Sequence, residues 1–259
     1  MKISKAVTFL IVILSAFAFP RTDFYDTEEL LVTVYYEFDD GNEIIDDEPM
    51  YIIVDTDEPK TVIYDDNHEP EFIPVFISEP LPDYIIEFID GLSFKENTTL
   101  THDDLTYLTI THVDFNGENR TGNMIVAAEL GEEVLEIFQE IYESGFPVYS
   151  IYLIDYFDAC DDRSMAANNS SAFNFRYVVN TNRLSRHAFG VAIDINPVQN
   201  PYVRGETILP AAGIDYLDRT DIRSGMITPG DAVYEAFVSR GWTWGGNWRS
   251  LKDYHHFEK

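Results

Sequence analysis

The sequence predicts an α+β fold with a mostly antiparallel sheet and flanking helices, preceded by a small β-rich or extended N-terminal region. Short β-prone segments are spread along the 259 residues, one segment carries the three-and-four spacing of an amphipathic helix, and a second short helix is predicted near the C-terminal end. The order of these segments favours the α+β class. A hydrophobic fraction of 45% provides enough apolar surface for a packed core.

The charge of the chain excludes two classes of partner. The formal net charge is -29, so the surface repels the phosphates of nucleic acids and anionic lipids. The single cysteine, Cys160, cannot form an internal disulfide, and we expect it to be a small buried apolar residue.

Residues 1–18 have the features of a signal peptide for export. Lys2 and Lys5 form a basic start, residues 6–19 are apolar, and an A-x-A pattern ending at Ala18 is typical of signal peptidase cleavage. The apolar segment is shorter than the roughly 20 residues that span a membrane. We therefore expect a secreted or extracytoplasmic protein without a transmembrane domain in the mature chain; an uncleaved N-terminal anchor is the alternative.

Residues 19–95 differ in composition from the rest of the chain. Acidic turns separate short β-prone segments there, and no motif among them indicates a ligand. The turns are 39–49 and 55–59, and the β-prone segments are 30–38, 50–55 and 71–77. The sequence therefore predicts an acidic β-rich module or a spacer ahead of a globular domain at 96–259.

The globular domain begins with a strand and the clearest helix of the chain. Residues 105–115 alternate like a strand, and 116–123 have the composition of a turn. The helix is predicted at about 129–144, where five apolar residues form one stripe, and Gly145 ends it. The stripe consists of Leu130, Val134, Ile137, Phe138 and Ile141.

Further elements follow towards the C-terminus. Residues 148–157 are predicted as a strand and 158–176 as a polar loop. A short strand follows Gly190, and residues 231–241 are predicted as a short helix that ends at its glycine.

The first segment with candidate metal ligands is SRHAFGVAIDIN at 185–196. A continuous strand would direct His187 and Asp194 to opposite faces, because they are seven positions apart. Gly190 permits the backbone bend that would bring both to one metal ion. Asp194 also interrupts an apolar strand, where a carboxylate is costly unless it is paired or metal-bound. A hydrogen-bonded structural Asp beside a surface His is the alternative.

The second such segment is KDYHHFEK at 252–259. His255 and His256 are both possible metal ligands, and spacing alone does not choose between them. Together with the first segment, one of them would complete a site of two imidazoles and one carboxylate, which leaves a coordination position for water on zinc. Asp253 lies where it could accept a proton from that water, so the pattern indicates zinc-assisted hydrolysis.

Both segments resemble motifs of one known family, the zinc D-alanyl-D-alanine carboxypeptidases of the VanY-like type, which belong to the LAS-type metallopeptidases. The first fits S-x-H-x-x-G-x-A-x-D, and DYHHF is similar to the closing acid-x-x-His-aromatic motif. The resemblance covers roughly residues 100 to 259. Four flanking blocks also resemble the family: DDRSMAANNSSAFNFR, IDINPVQNPYV, GMITPGD and WGGNW.

The resemblance implies a role for each matching position. His187, Asp194 and His256 would be the zinc ligands, which selects the second of the two neighbouring histidines. Asp253 would act as general base and then as proton donor, although related subfamilies carry Glu there. Arg176 would stabilise the anionic intermediate; without the resemblance, a surface ion pair is the favoured interpretation of this arginine in so acidic a chain.

Three further residues are candidates for binding substrate. The resemblance implies that Ser185 helps to hold the substrate or the ligand shell. Ser164 and Asn174 are placed to line a substrate cleft, or equally to form turns and satisfy backbone groups.

The function implied by the resemblance is hydrolysis of peptidoglycan stem peptides by a zinc-dependent domain with a Hedgehog/DD-peptidase-like fold. Removal of the terminal D-alanine from a D-Ala-D-Ala-terminated peptide is the first expectation. The alternatives are cleavage of another stem-peptide bond, such as L-alanyl-D-glutamate, and a non-catalytic wall-binding protein on the same scaffold.

Overall fold

The computed structural model describes residues 9–13, 31–35, 51–52, 72–96, 99–179 and 181–259. The chain divides into two compact units, Met1–Phe72 and Ile73–Lys259. Most of the predicted signal peptide and both acidic turns lie outside the described residues, so the structure does not test them. No helix among the described residues has the length and apolar character needed to cross a membrane.

The first unit contains three described strands in one antiparallel sheet. They are β1 (Phe9–Ile13), β2 (Leu31–Tyr35) and β3 (Tyr51–Ile52), in the order β1-β2-β3. Strands β2 and β3 fall within the predicted β-prone segments 30–38 and 50–55. Strand β1 falls within the apolar part of the predicted signal peptide.

The second unit begins with a three-stranded antiparallel sheet and a short helix. The elements are β4 (Phe76–Pro80), α1 (Asp83–Ile89), β5 (Leu105–Val113) and β6 (Asn119–Ala127), and the strand order is β4-β5-β6. Strand β5 confirms the strand predicted at 105–115. The turn into β6 is closed by Asp114, whose carboxylate accepts the backbone N–H groups of Asn116 and Glu118.

The predicted helix is present as α2 (Gly131–Glu143), and a 3₁₀ turn at Ala128–Leu130 precedes it. Its five predicted apolar residues are all buried, and they pack in the largest hydrophobic cluster of the described chain. Gly145 follows the helix with a φ of 70°, which is the left-handed conformation that commonly ends a helix. The periodicity therefore identified this element and its buried face correctly.

Residues 148–176 differ from the prediction of one strand and one loop. The segment forms β7 (Ser150–Ile151), a 3₁₀ helix (Ile154–Phe157), α3 (Asp161–Ala166) and β8 (Asn169–Ser170), with β7 and β8 parallel. Asp155, predicted within the strand, instead lies in the 3₁₀ helix and accepts the backbone N–H and hydroxyl of Ser93 at 3.0 and 2.9 Å. Cys160, just before α3, is half-buried instead of fully buried.

The C-terminal elements build two further small sheets. They are β9 (Ala192–Asp194), β10 (Tyr202–Arg204), β11 (Thr207–Leu209), α4 (Ala232–Val238), β12 (Thr243–Trp244), β13 (Lys252–Asp253) and β14 (His256–Glu258). The strand orders are β12-β14-β9 and β11-β10-β13, all antiparallel. Helix α4 confirms the predicted helix, and the carboxylate of Asp231 caps it by accepting the N–H of Tyr234.

The described part of the second unit is thus a mixed fold of small, mainly antiparallel sheets and few helices, which confirms the predicted α+β class in its coarse form. Helix α2 packs against β5 and α4. One hydrophobic cluster joins α2, α4 and the strands β9, β12 and β14. The C-terminal strands β9, β12 and β14 pack on α2 and α4 through this cluster.

The predicted bend at Gly190 is present and is closely packed. Its φ is 67°, and its carbonyl accepts the N–H of Ala127 at 2.9 Å. A Cβ at this position would lie 2.5 Å from that nitrogen and 2.9 Å from the carbonyl carbon of Val126. Both the backbone conformation and the close approach to β6 therefore require glycine.

Gly190→Ala should destabilise the protein more than Gly145→Ala. Both substitutions place a Cβ in the left-handed region, at a cost of about 1–2 kcal/mol, but a Cβ at Gly145 meets no atom within 4 Å. Urea unfolding of the two variants compares these costs directly. Equal losses in the free energy of unfolding would contradict the close packing at Gly190.

Candidate metal centre

Three side chains from two distant segments of the sequence meet beside the sheet β12-β14-β9. The antiparallel register places His256 of β14 opposite Asp194 of β9. His187 lies in a 3₁₀ helix (Arg186–Phe189), from which the bend at Gly190 leads into β9. One ligand atom from each of the three residues lies within 4.8 Å of the other two, a grouping that could hold a metal ion.

The distances within this cluster are short, and the side chains are buried. Nε2 of His187 lies 3.2 Å from Oδ2 of Asp194 and 3.2 Å from Nδ1 of His256, which lies 2.9 Å from Oδ1 of Asp194. The exposed fractions are 3%, 3% and 7% for His187, Asp194 and His256. Two imidazole nitrogens and a carboxylate form a donor set that fits zinc.

The outer nitrogens of both imidazoles have partners that orient the rings. Nδ1 of His187 donates to the carbonyl oxygen of Ala172 at 2.6 Å, and Nε2 of His256 lies 3.2 Å from Oε2 of Glu258. Consequently, His187 presents Nε2 and His256 presents Nδ1 to the centre of the cluster. Such outer partners set the tautomer and ring orientation of metal-binding histidines.

His255 is also buried but is bound in a different way. Its Nδ1 donates to the carbonyl oxygen of Asn200 at 2.7 Å, and its Nε2 lies 2.9 Å from Oδ1 of Asp253. That nitrogen is 3.9 Å from Oδ2 of Asp194. The metal-binding grouping therefore includes His256 and not its neighbour.

Asp253 lies at the end of β13, next to the cluster but outside it. Its Oδ1 is buried and lies 2.9 Å from Nε2 of His255. Burial lowers the pKa of His255, but the charge of Asp253 and the contact with it outweigh burial and raise that pKa to about 9. Gly245 permits this placement, since a Cβ there would lie 2.5 Å from the carbonyl oxygen of Asp253. A carboxylate held beside a histidine in this way can accept a proton as a general base does.

Arg176 makes one ion pair and leaves one donor without a partner. A terminal nitrogen of its guanidinium lies 2.9 Å from Oδ2 of Asp161 in α3. Its Nε is buried and has no hydrogen-bond partner among the described residues. The contact with Asp161 agrees with the ion-pair alternative, while the unpartnered Nε leaves a donor for a further acceptor.

The three predicted substrate-binding residues lie in different surroundings. Ser185 caps the 3₁₀ helix, because its hydroxyl accepts the N–H of His187 at 3.3 Å. Asn174 donates its backbone N–H to the carbonyl of His187 at 3.1 Å, and its buried Oδ1 has no partner among the described residues. Ser164 is buried in α3, where its hydroxyl accepts from the side chain of Asn169 at 3.1 Å.

Sequence reasoning missed Glu258, Asn200 and Gly245 as parts of this site. Glu258 lies two positions after His256 on the same strand, so the two side chains share one face of the sheet. That spacing was a usable signal. The contacts of Asn200 and Gly245 had no local signal, because they join segments that are far apart in the sequence.

The charge of Asp194 favours a protonated imidazole at His256. Burial lowers the pKa of His256, but hydrogen bonds with Asp194 and Glu258 outweigh it and raise the pKa to about 10. Burial likewise raises the pKa of Asp194, but the charges of His187 and His255 hold it well below its usual range. A metal ion entering the cluster therefore has to displace at least one proton.

The affinity for zinc should accordingly rise with pH between 6 and 8. Because the pKa of His256 is about 10 in the metal-free protein, the imidazole carries a proton throughout this range. Affinity should then increase about tenfold per pH unit for each proton displaced. Competition with a chromogenic chelator at several pH values measures the slope, and a flat profile would contradict proton displacement.

Residues 179–259 match the family model described as D-alanyl-D-alanine carboxypeptidase. The match confirms the resemblance predicted from the sequence and supports a peptidase role. It covers the three clustered residues and Asp253, whereas Arg176, Asn174 and Ser164 lie before it. Neither a curated protein nor a solved structure matches the chain significantly.

Proposed function

We propose that this chain, whose C-terminal segment matches the D-alanyl-D-alanine carboxypeptidases, is an exported zinc peptidase acting on peptidoglycan stem peptides. Its reaction is the removal of the terminal D-alanine from a peptide ending in D-Ala-D-Ala. The observation that carries the proposal is the convergence of His187, Asp194 and His256 within 4.8 Å, with Asp253 beside them.

The residues of the cluster fit zinc in both chemistry and orientation. Zinc in catalytic sites takes three protein ligands of the imidazole and carboxylate type and keeps a position for a water molecule or substrate. His187, Asp194 and His256 would supply these ligands through Nε2, a carboxylate oxygen and Nδ1. When bound there, zinc would activate water and polarise the scissile carbonyl.

Asp253 is the residue that we assign to proton transfer. Its carboxylate, whose Oδ1 is buried beside His255, would accept the proton of the attacking water and then pass it to the leaving amine of D-alanine. A positioned acid–base group of this kind contributes about 10²–10⁴-fold to a rate. His255, which lies 2.9 Å from the same oxygen, would hold the carboxylate in place during both transfers.

Arg176 and Asn174 are the residues that we assign to the substrate. The free Nε of Arg176 would donate to the oxygen that becomes anionic as the amide is attacked, a contribution of about 3–4 kcal/mol for one such donor. The free Oδ1 of Asn174 would accept from a backbone or terminal amide of the peptide. Ser185 would act indirectly, by holding the helix that carries His187, and Ser164 would support the cleft wall.

Two further parts of the proposal concern the fold and the location of the protein; the first rests on the family resemblance and the second on the signal-peptide features of residues 1–18. The α+β domain would have the Hedgehog/DD-peptidase-like arrangement, and the N-terminal segment would direct the chain to the extracytoplasmic space where peptidoglycan lies. The strongly acidic surface is consistent with a protein that binds neither nucleic acid nor anionic lipid.

The Asp253→Asn variant should still bind zinc, but its turnover rate should fall at least about 10²-fold, since the amide cannot accept the proton. His187→Ala should lose both zinc and turnover. Metal analysis of the purified variants and a D-alanine release assay measure the two properties separately. Asp221→Asn is the matched control, because Asp221 is an exposed carboxylate whose ion pair within the described part of the chain is with Arg223. Near wild-type turnover in Asp253→Asn would overturn the assignment of the base.

The choice of scissile bond is tested by mass spectrometry of muropeptides incubated with the zinc-loaded protein. Loss of one alanine from pentapeptide stems is the expected result. Cleavage within the stem would instead establish the L-alanyl-D-glutamate type of activity. A protein that holds no zinc and cleaves no D,D-dipeptide when zinc is supplied would leave only the non-catalytic, wall-binding alternative.

A further inference from the structure

We propose that Glu258 is a positioning residue that fixes His256 for the metal ion. The inference rests on the metal centre of the proposed function and adds a carboxylate behind one of its ligands. Glu258 would not contact the ion or the substrate. It would hold the imidazole through Nε2, so that Nδ1 faces the ion.

The contact between the two side chains follows from their positions on β14. His256 and Glu258 are two positions apart on a strand, so both side chains point to the same face. Oε2 of Glu258 lies 3.2 Å from Nε2 of His256. The imidazole can donate from Nε2, and the carboxylate can only accept, which defines the direction of this hydrogen bond.

The opposite edge of the same ring points into the cluster. Nδ1 of His256 lies 2.9 Å from Asp194 and 3.2 Å from Nε2 of His187. A carboxylate that keeps a proton on Nε2 leaves the lone pair of Nδ1 for a metal ion. It also raises the basicity of that lone pair, which strengthens the bond that the nitrogen forms with the ion.

The backbone around Glu258 is held on both sides. Strand β14 is the central strand of its sheet, and Glu258 pairs with Ala192 on one side and Thr243 on the other. The backbone at Glu258 is therefore fixed relative to His256. The ring centroids of Trp248 and His256 lie 5.4 Å apart. The indole therefore limits rotation of the imidazole.

The two ligand histidines differ in a way that makes the proposal testable. His187 is oriented by the backbone carbonyl of Ala172, which no substitution removes. His256 is oriented by a side chain, which a substitution does remove. A change at Glu258 therefore affects one ligand while the other stays in place.

An ordinary, partly exposed ion pair with His256 is the alternative role for Glu258. Its side chain is 31% exposed, and partly exposed pairs contribute only about 0–1 kcal/mol to stability. Such a pair would affect folding slightly and equally with or without metal. Metal affinity, measured separately from stability, distinguishes the two roles.

The experiment compares Glu258→Ala and Glu258→Gln with Glu140→Gln as control. Glu140 is a half-exposed carboxylate of α2 that is paired with Arg240, so its variant removes one charge without removing a contact of the cluster. Zinc affinity is measured by chelator competition, and the visible spectrum of the Co²⁺-substituted protein reports ligand geometry. The free energy of unfolding of each metal-free variant is measured by urea.

Glu258→Ala should weaken zinc binding about 10–100-fold and change the Co²⁺ spectrum. Glu258→Gln should weaken it less, because the amide oxygen still accepts the hydrogen bond but carries no charge. The metal-free stability of both should match that of the control. If the alanine variant does not fold, the glutamine variant alone decides the question.

Zinc affinity of both Glu258 variants within about twofold of the control would overturn the proposal. Reduced stability without metal, combined with unchanged zinc affinity, would assign Glu258 to the fold alone. Because affinity does not require turnover, these results are separate from the peptidase reaction. A wild-type protein that binds zinc and releases no D-alanine would contradict the reaction while leaving the role of Glu258 intact.

Discussion

The candidate centre depends on one strand pairing, that of β14 with β9. Its register sets His256 opposite Asp194, and opposing residues of an antiparallel pair have Cβ atoms about 4.5–5.5 Å apart on the same face. A shift by one residue would turn His256 to the other face and bring His255 or Phe257 opposite Asp194. The register therefore decides which histidine joins the cluster, and it does so through backbone geometry before any metal is considered.

The apolar face of β14 is what holds that register. Phe257 is fully buried and stacks on Phe237, with ring centroids 4.1 Å apart, and burial of such a side chain contributes about 1.5–3 kcal/mol. On the opposite face, burying the imidazoles and Asp194 costs desolvation free energy unless their charges compensate one another. Burial of Phe257 on one face of β14 therefore stabilises the register that places His256 on the other face. The polar residues alone would not determine that register.

The sequence predicted the elements with strong local periodicity and missed those that depend on distant contacts. Helix α2 and strand β5 were found because their apolar residues repeat over many positions, and Gly190 was found because a bend was needed between two candidate ligands. The strand predicted at 148–157 was wrong beyond β7, since the tertiary contact of Asp155 with Ser93 leaves no local pattern. The ligand histidine could not be chosen from spacing alone, because that choice lies in a register between segments 62 positions apart.

The central claim is that these distant segments share one divalent ion, and anomalous diffraction at the zinc absorption edge tests it most directly. Crystals of the protein grown with zinc should show one strong anomalous peak within bonding distance of His187 Nε2, Asp194 and His256 Nδ1, at about 2.0–2.2 Å. An anomalous map without a peak among these three side chains, or with the ion bound through His255 instead, would contradict the account.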